Sequence, residues 1–581
     1  MKTQSSAFPS DAATSCRTPQ DRRSFMKRLL AAGATANLAG LALGDSAHAE
    51  SSRGREPRME APDTCGDANQ RALRAYQIRQ QAALAEYQLP LPAHPDNGDE
   101  DLYPDKIGSF TKGLPHNSLG EVDLHAYQLY VRALASGEPG DFERIPLGTS
   151  NPATRYPLVN PQAGLAFDLE GADSHSFYLP SAPTIGSDEE NGEILENYWM
   201  ALTRDVPFGE YDTNPLTRQA AADLSRMSDF RGPKEGGQVT TGTLFRGPLP
   251  GCLTGPYLSQ FLWLPVPFGA DYVEQQMLTA VPGLDFMTTY SEWLNIQNGA
   301  LPQASQQLDT TRRYMRNGRD LGQWVHKDVL HQAYFLAMLT LSQPATSDPH
   351  SSGLGAPFDA GNPYTHSLTQ TGFGTFGAPH IATLLPEVST RALHAVWFQK
   401  WFVHTRLRPE AYAGLIQNQL VNPALQYSFA TPELLQSPVF DILNAKNGSF
   451  LLPMAFPEGS PLHPSYGAGH ATVAGACVTI LKAWFDESFV IPNPVQVSSD
   501  GLSLQPYSGP PLTLGGELNK LAANIGMGRN MAGVHWRSDA VESFKLGEAL
   551  AISILRDQRP TYNENFNGFS LTRFDGTTVT V

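Results

Sequence analysis

The sequence is poor in cysteine, with four residues in 581. No Cys-x-x-Cys pattern occurs, which argues against a cysteine-rich metal site. Cys477 falls in an apolar helical run and is predicted to be a buried thiol. Cys65 could join two subunits. Together with Cys252, these two make three cysteines after residue 49. The sequence is compatible with an internal disulfide, with an intermolecular disulfide and with free thiols.

Positive charge is also scarce, because 41 Lys and Arg stand against 57 Asp and Glu, for a formal net charge of −16. A surface of this sign repels nucleic acid and anionic lipid, so neither is an expected partner. Any site for an anion must therefore come from a local cluster of arginine and lysine.

Apolar runs are weak, and the N-terminal one is interrupted by polar residues. Residues 1–49 contain the pair Arg22-Arg23, then a stretch rich in Ala, Gly and Leu, then Ala-His-Ala ending at Ala49. This order is typical of a twin-arginine export signal, and the polar residues argue against a permanent membrane span. We expect residues 50–68 to form a flexible tail, and the exported protein to act in the periplasm or outside the cell.

Strand patterns are scarce too, and the clearest is a terminal hairpin in residues 571–581. Helical periodicity dominates and predicts a mainly α fold, a large helical bundle with long loops and minor β hairpins. We expect residues 69–581 to form a single domain with its active site within residues 397–539. The predicted helices cover residues 69–88, 121–137, 193–205, 217–227, 320–341, 389–407, 470–484, 515–523 and 538–556.

The first chemically informative stretch is VWFQKWFVHTRLRPEA, which starts at Val396. A helix that ends before Pro409 would place Lys400 and Arg408 within about 80° of each other. A solvated basic face is the ordinary use of such charges. Aromatic neighbours nevertheless surround them, and a helix that is apolar nearly all round is buried. Buried cations need an anion.

The second stretch is HPSYGAGHA, which starts at His463. Gly467 and Gly469 allow the backbone to approach a ligand closely. A helix that begins near Gly469 directs its free N–H groups outwards, which predicts an anion seat with His470 beside it. A purely structural histidine at a helix start remains the alternative.

The third stretch is NIGMGRNMAGVHWRSDAVESF, in which Arg529 stands among glycines. Asp539 follows His535 by four residues, so its carboxylate can orient the imidazole as a metal ligand or general base. Local ion pairs at a helix start are the alternative. Together the three stretches suit a tetrahedral, multiply charged oxyanion, with one histidine on its central atom and another moving protons.

The order Lys-x7-Arg-Pro, then a Gly-His helix start, then Arg-x5-His-x3-Asp resembles the vanadium-dependent haloperoxidases. The type 2 phosphatidic acid phosphatases and bacterial acid phosphatases share that pocket. Most of the chain after the predicted tail resembles the algal and cyanobacterial bromoperoxidase branch. The segments that carry this resemblance are NGDEDLYPDKIGSFTKGLPHNSLGEVD, AFDLEGADSHSFYLPSAP, GPYLSQFLWLPVPFGA and HPSYGAGHA.

The resemblance implies vanadate as the cofactor, with His535 bound to vanadium. It places Lys400, Arg408 and Arg529 on the equatorial oxygens and lets the Gly469 N–H donate to another oxygen. Lys400 would also polarise bound peroxide. These assignments follow from the family and not from the spacing alone.

The same resemblance makes His470 the acid–base group and gives Trp397 and His463 a role in handling halide. A histidine at the second of these positions is more similar to bromoperoxidases than to chloroperoxidases. The chain departs from the family at Ala468, where Ser is usual, and at Gly467, where Pro is usual. Losing the serine hydroxyl could weaken vanadate binding by roughly ten- to a hundredfold.

The implied reaction uses hydrogen peroxide to oxidise halide, bromide first and also iodide, to hypohalous acid that halogenates small organic substrates. The resemblance also implies a homo-oligomer, a dimer or larger. Two alternatives remain on the sequence alone. One is an acid phosphatase with His535 as nucleophile, and the other is a non-catalytic periplasmic oxyanion-binding protein, which Ala468 favours slightly.

Overall fold

The computed structural model describes residues 68–345, 352–425, 427 and 429–581. The predicted export signal, nearly all of the predicted tail and Cys65 lie outside the described residues. The chain divides into two compact units, Met1–Leu73 and Arg74–Val581, and the second unit carries the elements that position the site. The predicted domain boundary at residue 69 stays a prediction.

The second unit is mainly helical, as predicted. None of the described helices combines the length and apolarity needed to cross a membrane. In chain order the α-helices are α1 (Ala68–Tyr87), α2 (Asp99–Leu102), α3 (Leu124–Ser136), α4 (Pro139–Phe142), α5 (Asp188–Thr203), α6 (Pro215–Arg226), α7 (Tyr290–Gln297), α8 (Gly318–Lys327), α9 (Gln332–Ser342), α10 (Ala378–Phe398), α11 (Pro409–Val421), α12 (Pro432–Leu435), α13 (Val439–Asn447), α14 (Gly469–Trp484), α15 (Leu514–Met531) and α16 (Arg537–Gln558).

Among the described residues the strands form antiparallel pairs. The predicted terminal hairpin is confirmed, and the other pairs agree with the minor β-structure that was expected, although their positions were not predicted. The pairs are β1 (Val266–Phe268) with β2 (Asp271–Val273), β3 (Met277–Ala280) with β4 (Leu308–Arg313), β5 (Val495–Val497) with β6 (Leu504–Pro506), and β7 (Ser570–Thr572) with β8 (Thr578–Thr580).

The helix α14 forms the centre of the fold and packs against α10, α15 and α16. It is rich in Ala, Gly and Val and is buried along its length except at His470, which lies in its first turn. Glycines allow its close crossing with α16, because a Cβ at Gly475 or Gly547 would overlap the backbone of the opposite helix. The N-terminal end of α14 is thereby held rigidly where several other helix ends meet.

The predicted helix over residues 389–407 is wrong at its C-terminal end. The helix α10 ends at Phe398, a π-helical turn covers Gln399–His404, and Thr405 has a left-handed φ of 39°. Arg408 is then extended and caps the N-terminus of α11. Lys400 and Arg408 therefore lie on different elements, and their proximity comes from the turn of the chain and not from a shared helix face.

Two further predicted helices need correction. The expected single helix over residues 320–341 is split into α8 and α9, and the break contains Asp328. The helix expected over residues 515–523 runs on to Met531, so Arg529 lies in the last turn of α15. Gly526 and Gly528 made that extension unlikely from propensity, but they permit close packing against Phe544 and α8.

Candidate active site

A cavity of about 360 Å³ opens where α14 begins and where α8 and α15 end. Its lining contains most of the predicted site residues, and Lys400 and Arg408 lie directly behind it through contacts described below. The lining residues are Val325, His326, Asp328, Leu330, Leu393, Trp397, Phe456, Glu458, Gly459, Pro461, His463, Gly469, His470, Arg529 and His535.

The cations at this cavity differ from other buried cations of the protein. Ten lysine and arginine side chains are buried among the described residues. Seven of them form salt bridges, namely Lys112, Arg204, Arg319, Arg406, Lys482, Lys520 and Arg537. The other three, Lys400, Arg408 and Arg529, form no salt bridge with a described carboxylate. A buried charge without a partner is costly, so this arrangement calls for an anion.

Lys400 is completely buried, and its Nζ donates to the carbonyl oxygens of Pro464 and Ser465, each at 2.9 Å. Burial, together with the neighbouring charges of Arg408 and Arg529, holds the pKa of this amine well below its usual range. An anion beside the amine would favour the charged form and reverse that shift.

Arg408 is held on all sides by the groups that surround the cavity. Its Nε donates to the His463 carbonyl at 3.0 Å and its Nη1 donates to the Val534 carbonyl at 2.7 Å. The same guanidinium reaches Nε2 of His535 at 3.0 Å and Nδ1 of His463 at 2.8 Å. Burial lowers its pKa to about 9.

Arg529 approaches from the end of α15. Its Nη1 donates to the Val325 carbonyl at 2.9 Å, and its guanidinium carbon lies 5.4 Å from the centre of the Phe456 ring. Its buried Nε has no hydrogen-bond partner among the described residues. Burial lowers the pKa of this guanidinium to about 10.

His535 presents a neutral imidazole to these cations. Its Nδ1 lies 2.8 Å from Oδ2 of Asp539, which fixes the ring and leaves the lone pair on Nε2, where Nη1 of Arg408 donates to it at 3.0 Å. Burial and the nearby charges of Arg408 and Lys400 hold the pKa of His535 well below its usual range. Asp539 is in turn held by Nη1 of Arg406 at 2.9 Å.

His470 lies at the mouth of the cavity, with about a fifth of its side chain exposed, and its Nε2 lies 3.0 Å from Oδ1 of Asp328. Asp328 was not singled out from the sequence, because the predicted continuous helix concealed the break that places it here.

Arg406 was also missed in the sequence. It is one residue of an extended segment whose three carboxylate partners, Glu190, Glu193 and Asp539, come from distant parts of the chain.

The predicted halide residues lie together. The rings of Trp397 and His463 have centres 4.9 Å apart, and Nζ of Lys400 lies 5.8 Å from the Trp397 ring. Trp397 Nε1 donates to the Val159 carbonyl at 3.1 Å. Burial and the charge of Lys400 hold the pKa of His463 well below its usual range, so this imidazole is neutral.

The start of α14 brings backbone N–H groups to the cavity. Gly469 is the first residue of the helix and lines the cavity, and Ala468 caps the helix without a side-chain hydrogen bond. The Ala468 N–H is already used, since it donates to Oγ of Ser543 at 2.8 Å. At this position an anion can bind to the N–H groups of the helix, but the capping residue has no side-chain hydroxyl to offer.

The donor set fits a tetrahedral oxyanion such as vanadate. Three buried cations that form no salt bridge with a described carboxylate, together with the N-terminus of a buried helix, supply positive charge and N–H donors from several directions. The neutral imidazole of His535 can bind the central atom through Nε2, in exchange for the hydrogen bond that this atom accepts from Arg408. No cluster of three or more His, Cys, Asp or Glu in the described part of the chain could hold a metal cation.

Known proteins are similar to this chain over most of its length. The family model of the VCPO second helical-bundle domain matches residues 389–563. The chain is 40% identical over 567 residues to the vanadium-dependent bromoperoxidase of Corallina pilulifera, covering 84% of this chain and 92% of that one. The vanadium-dependent bromoperoxidase of Corallina officinalis is 39% identical, with the same coverage.

The fold agrees as well. The solved homohexameric second vanadate-dependent bromoperoxidase of Ascophyllum nodosum matches with a TM-score of 0.81 and 31% identity, covering 94% of this chain and 95% of that one. Identity of this extent, over this share of both chains, together with the geometry of the cavity, leads to one conclusion. This chain belongs to the vanadium-dependent bromoperoxidase family.

Proposed function

We propose that this protein uses vanadate and hydrogen peroxide to oxidise bromide, and also iodide, to hypohalous acid that halogenates small organic substrates. One observation carries the proposal above all others. Lys400, Arg408 and Arg529 are buried beside the neutral imidazole of His535, and none of them forms a salt bridge with a carboxylate in the described part of the chain. The relatives named above are bromoperoxidases, which supports bromide as the preferred halide.

Several residues hold the oxyanion, each through a different interaction. Lys400, Arg408 and Arg529 neutralise its charge and donate N–H groups to its oxygens, and Gly469 adds a backbone N–H. His535 offers Nε2 to the central atom, because Asp539 holds its other nitrogen. Bound vanadate supplies a Lewis-acidic centre that activates hydrogen peroxide for attack by halide.

Proton movement belongs to His470. Asp328 engages Nε2 of this imidazole and orients it, which leaves Nδ1 to exchange a proton with the ligand or with water. The ring lies partly exposed at the mouth of the cavity, so protons can be exchanged with solvent. Lys400 is completely buried and so cannot exchange protons with solvent. Its role is to provide a fixed positive charge beside the oxyanion.

The test is a titration of purified apo-protein with orthovanadate in the presence of hydrogen peroxide and bromide, with bromination of a phenolic dye as the readout. Saturable activation that phosphate competes away is the expected result. The variant His535→Ala should bind vanadate much more weakly and lose activation. No activation at any vanadate concentration would overturn the proposal, and release of phosphate from p-nitrophenyl phosphate would then favour the phosphatase alternative.

We also propose that the protein forms a homo-oligomer, a dimer or larger. Support comes from the homohexameric relative, which matches 94% of this chain. Light scattering coupled to size-exclusion chromatography measures the mass directly. A single-chain mass at micromolar concentration would contradict the proposal.

Export by the twin-arginine route, to the periplasm or beyond the cell, remains a proposal that rests on Arg22-Arg23 and the Ala-His-Ala sequence ending at Ala49. A fusion of residues 1–49 to a reporter should be exported and cleaved. Replacing both arginines by lysine should stop export, whereas export that survives this change would argue against the twin-arginine route.

A further inference from the structure

The cavity is larger than an oxyanion requires, and its lining includes apolar and aromatic side chains as well as charged ones. Its volume of about 360 Å³ lies in the range of pockets for small organic molecules, roughly 300–1,000 Å³. The groups assigned above to the oxyanion and its protons occupy only part of the lining. Much of the rest is apolar and consists of Val325, Leu330, Leu393, Trp397, Phe456 and Pro461.

Aromatic surface flanks the oxyanion cations on two sides. The Trp397 ring lies 5.8 Å from Nζ of Lys400. On the other side, the Phe456 ring lies 5.4 Å from the guanidinium carbon of Arg529 and stacks on the His326 ring, with centres 3.7 Å apart and an angle of 12° between the ring planes. An aromatic molecule between these walls would lie next to the reacting centre.

A carboxylate in the same cavity has no part in the mechanism described so far. Glu458 pairs through Oε1 with Nε2 of His326 at 2.5 Å, and a quarter of its side chain is exposed. Burial opposes its ionisation, but the hydrogen bond and charge of His326 hold the pKa of Glu458 below its usual range. A carboxylate can accept about four hydrogen bonds, and His326 supplies one.

The position of Glu458 is fixed from behind by the buried salt bridge between Lys112 and Glu410. Nζ of Lys112 donates to the carbonyl oxygens of Glu458 at 2.9 Å and Ser460 at 2.6 Å. Oε2 of Glu410 accepts from the Ser460 N–H at 2.7 Å. This clamp makes the segment that carries Glu458 a rigid wall, as a recognition site requires.

We propose that Glu458 determines which organic acceptors bind in this cavity: its carboxylate selects small, neutral aromatic molecules that carry an O–H or N–H donor, such as a phenol or an indole, over those that lack one. The donor bonds the Glu458 carboxylate, and the ring lies along Trp397 and Phe456. The aromatic side chains of Trp397 and Phe456 favour an aromatic ligand. The Glu458 carboxylate, which the mechanism above does not use, favours a ligand with a hydrogen-bond donor. Halogenation can then take place before the oxidant escapes.

The chemical step at this subsite rests on the proposed function, which supplies hypobromous acid. A ring carbon attacks bromine, the C–Br bond forms and the Br–O bond breaks. The ring proton then leaves to the hydroxide that has been released, which gives water. Binding of the acceptor by itself requires neither vanadate nor peroxide, so the two proposals can fail separately.

Equilibrium binding of phenol and of anisole, which lacks the donor, tests the subsite on the full chain without vanadate, peroxide or bromide. Saturation-transfer NMR titrations give both dissociation constants. The wild-type protein should bind phenol about tenfold more tightly than anisole, since a hydrogen bond to a charged group has at least this effect. In Glu458→Gln, whose neutral amide oxygen is a weaker acceptor than the carboxylate, the ratio should fall severalfold.

Glu189→Gln is the matched control, because Glu189 is also a partly buried, ion-paired glutamate, with 17% of its side chain exposed, and does not line the cavity. This variant should keep the wild-type ratio. Equal binding of phenol and anisole to the wild-type protein would overturn the proposal without any variant, and so would an undiminished preference for phenol in Glu458→Gln.

Kinetics supply a second readout once activity is established. In Glu458→Gln the KM for phenol should rise severalfold, with kcat and the KM for bromide unchanged. A bromination rate that does not depend on phenol concentration in the wild-type protein would mean that the oxidant reacts outside, which contradicts the subsite. Absence of any bromination, with the phenol preference intact, would instead remove the proposed function and leave the subsite standing.

Discussion

Ala468 stands where serine is usual in the family, so the site has one hydroxyl donor fewer at this position. It caps α14 without a side-chain hydrogen bond and is completely buried. In Ala468→Ser the new hydroxyl should donate to bound vanadate and lower its dissociation constant by roughly ten- to a hundredfold. Titration of apo-protein with orthovanadate measures the change.

A serine at this position could instead act only as a helix cap. That role would raise the free energy of unfolding of the apo-protein by about 1 kcal/mol and leave the vanadate dissociation constant unchanged. Denaturant unfolding of the apo-protein, measured beside the titration, separates the two effects. An unchanged dissociation constant would show that the hydroxyl does not reach the oxyanion.

His404 is a buried histidine beside the site that does not line the cavity. It lies between Lys400 and Arg408 in the sequence, and its ring packs edge-to-face with Tyr466, with centres 4.7 Å apart. Neither of its ring nitrogens has a hydrogen-bond partner among the described residues. Burial lowers its pKa to about 3, so the folded protein keeps it neutral.

This depressed pKa predicts a pH-dependent cost. Between pH 6.5 and pH 3 the unfolded chain binds a proton at His404 that the folded chain does not, so stability falls as pH falls through 6.5. Relative to His404→Phe, the wild-type protein should lose about 2 kcal/mol more on going from pH 7 to pH 5. Urea unfolding at the two pH values measures this, and parallel losses in both proteins would contradict it.

At the scale of elements, the crossing of α14 and α16 holds the N-terminus of α14 in place. Gly547 has the Thr472 carbonyl oxygen where a Cβ would stand. Gly547→Ala should therefore push the helices apart and lower the free energy of unfolding by about 1–3 kcal/mol. Gly209→Ala is the control, because no atom lies within 4 Å of its added Cβ. Urea midpoints that shift equally in the two variants would argue against a tight crossing.

Element boundaries were the least predictable feature of the fold, and the errors fall at the site. The break between α8 and α9 brings Asp328 to His470, and the left-handed Thr405 redirects the chain so that Arg408 meets His463 and His535. Neither break contains a glycine or proline at the turn itself. Long-range ion pairs and hydrogen bonds, which local periodicity does not report, hold both of them.

At the scale of the whole molecule, the site lowers the stability of the empty protein. Lys400 is buried near two other cations and lacks a carboxylate partner among the described residues. Lys400→Met should raise the free energy of unfolding of the apo-protein by about 1–4 kcal/mol, since it removes an uncompensated buried charge. The same variant should lose most of the rise in Tm that vanadate causes in the wild-type protein.

Lys520→Met is the matched control, because Lys520 is equally buried but forms a salt bridge with Glu517 at 2.5 Å. Removing it leaves a buried carboxylate unpaired, so this variant should be destabilised by about 3–5 kcal/mol and should keep its response to vanadate. Thermal scans with and without orthovanadate test both variants. Destabilisation of the two by the same amount would mean that the cations at the cavity are already compensated.

The sequence by itself determined the mainly helical class, most helix positions and the residue types of the oxyanion site. Hydrophobic periodicity over long helices and short spacings such as that from His535 to Asp539 are local, so they can be read along the chain. Only the tertiary structure decided which buried cations pair with a described carboxylate, because partners such as Glu410 for Lys112 and Glu196 for Arg537 are hundreds of residues away. It also placed Asp328, Arg406 and Glu458 at the site, since each gets there through a turn or a contact that no local pattern encodes.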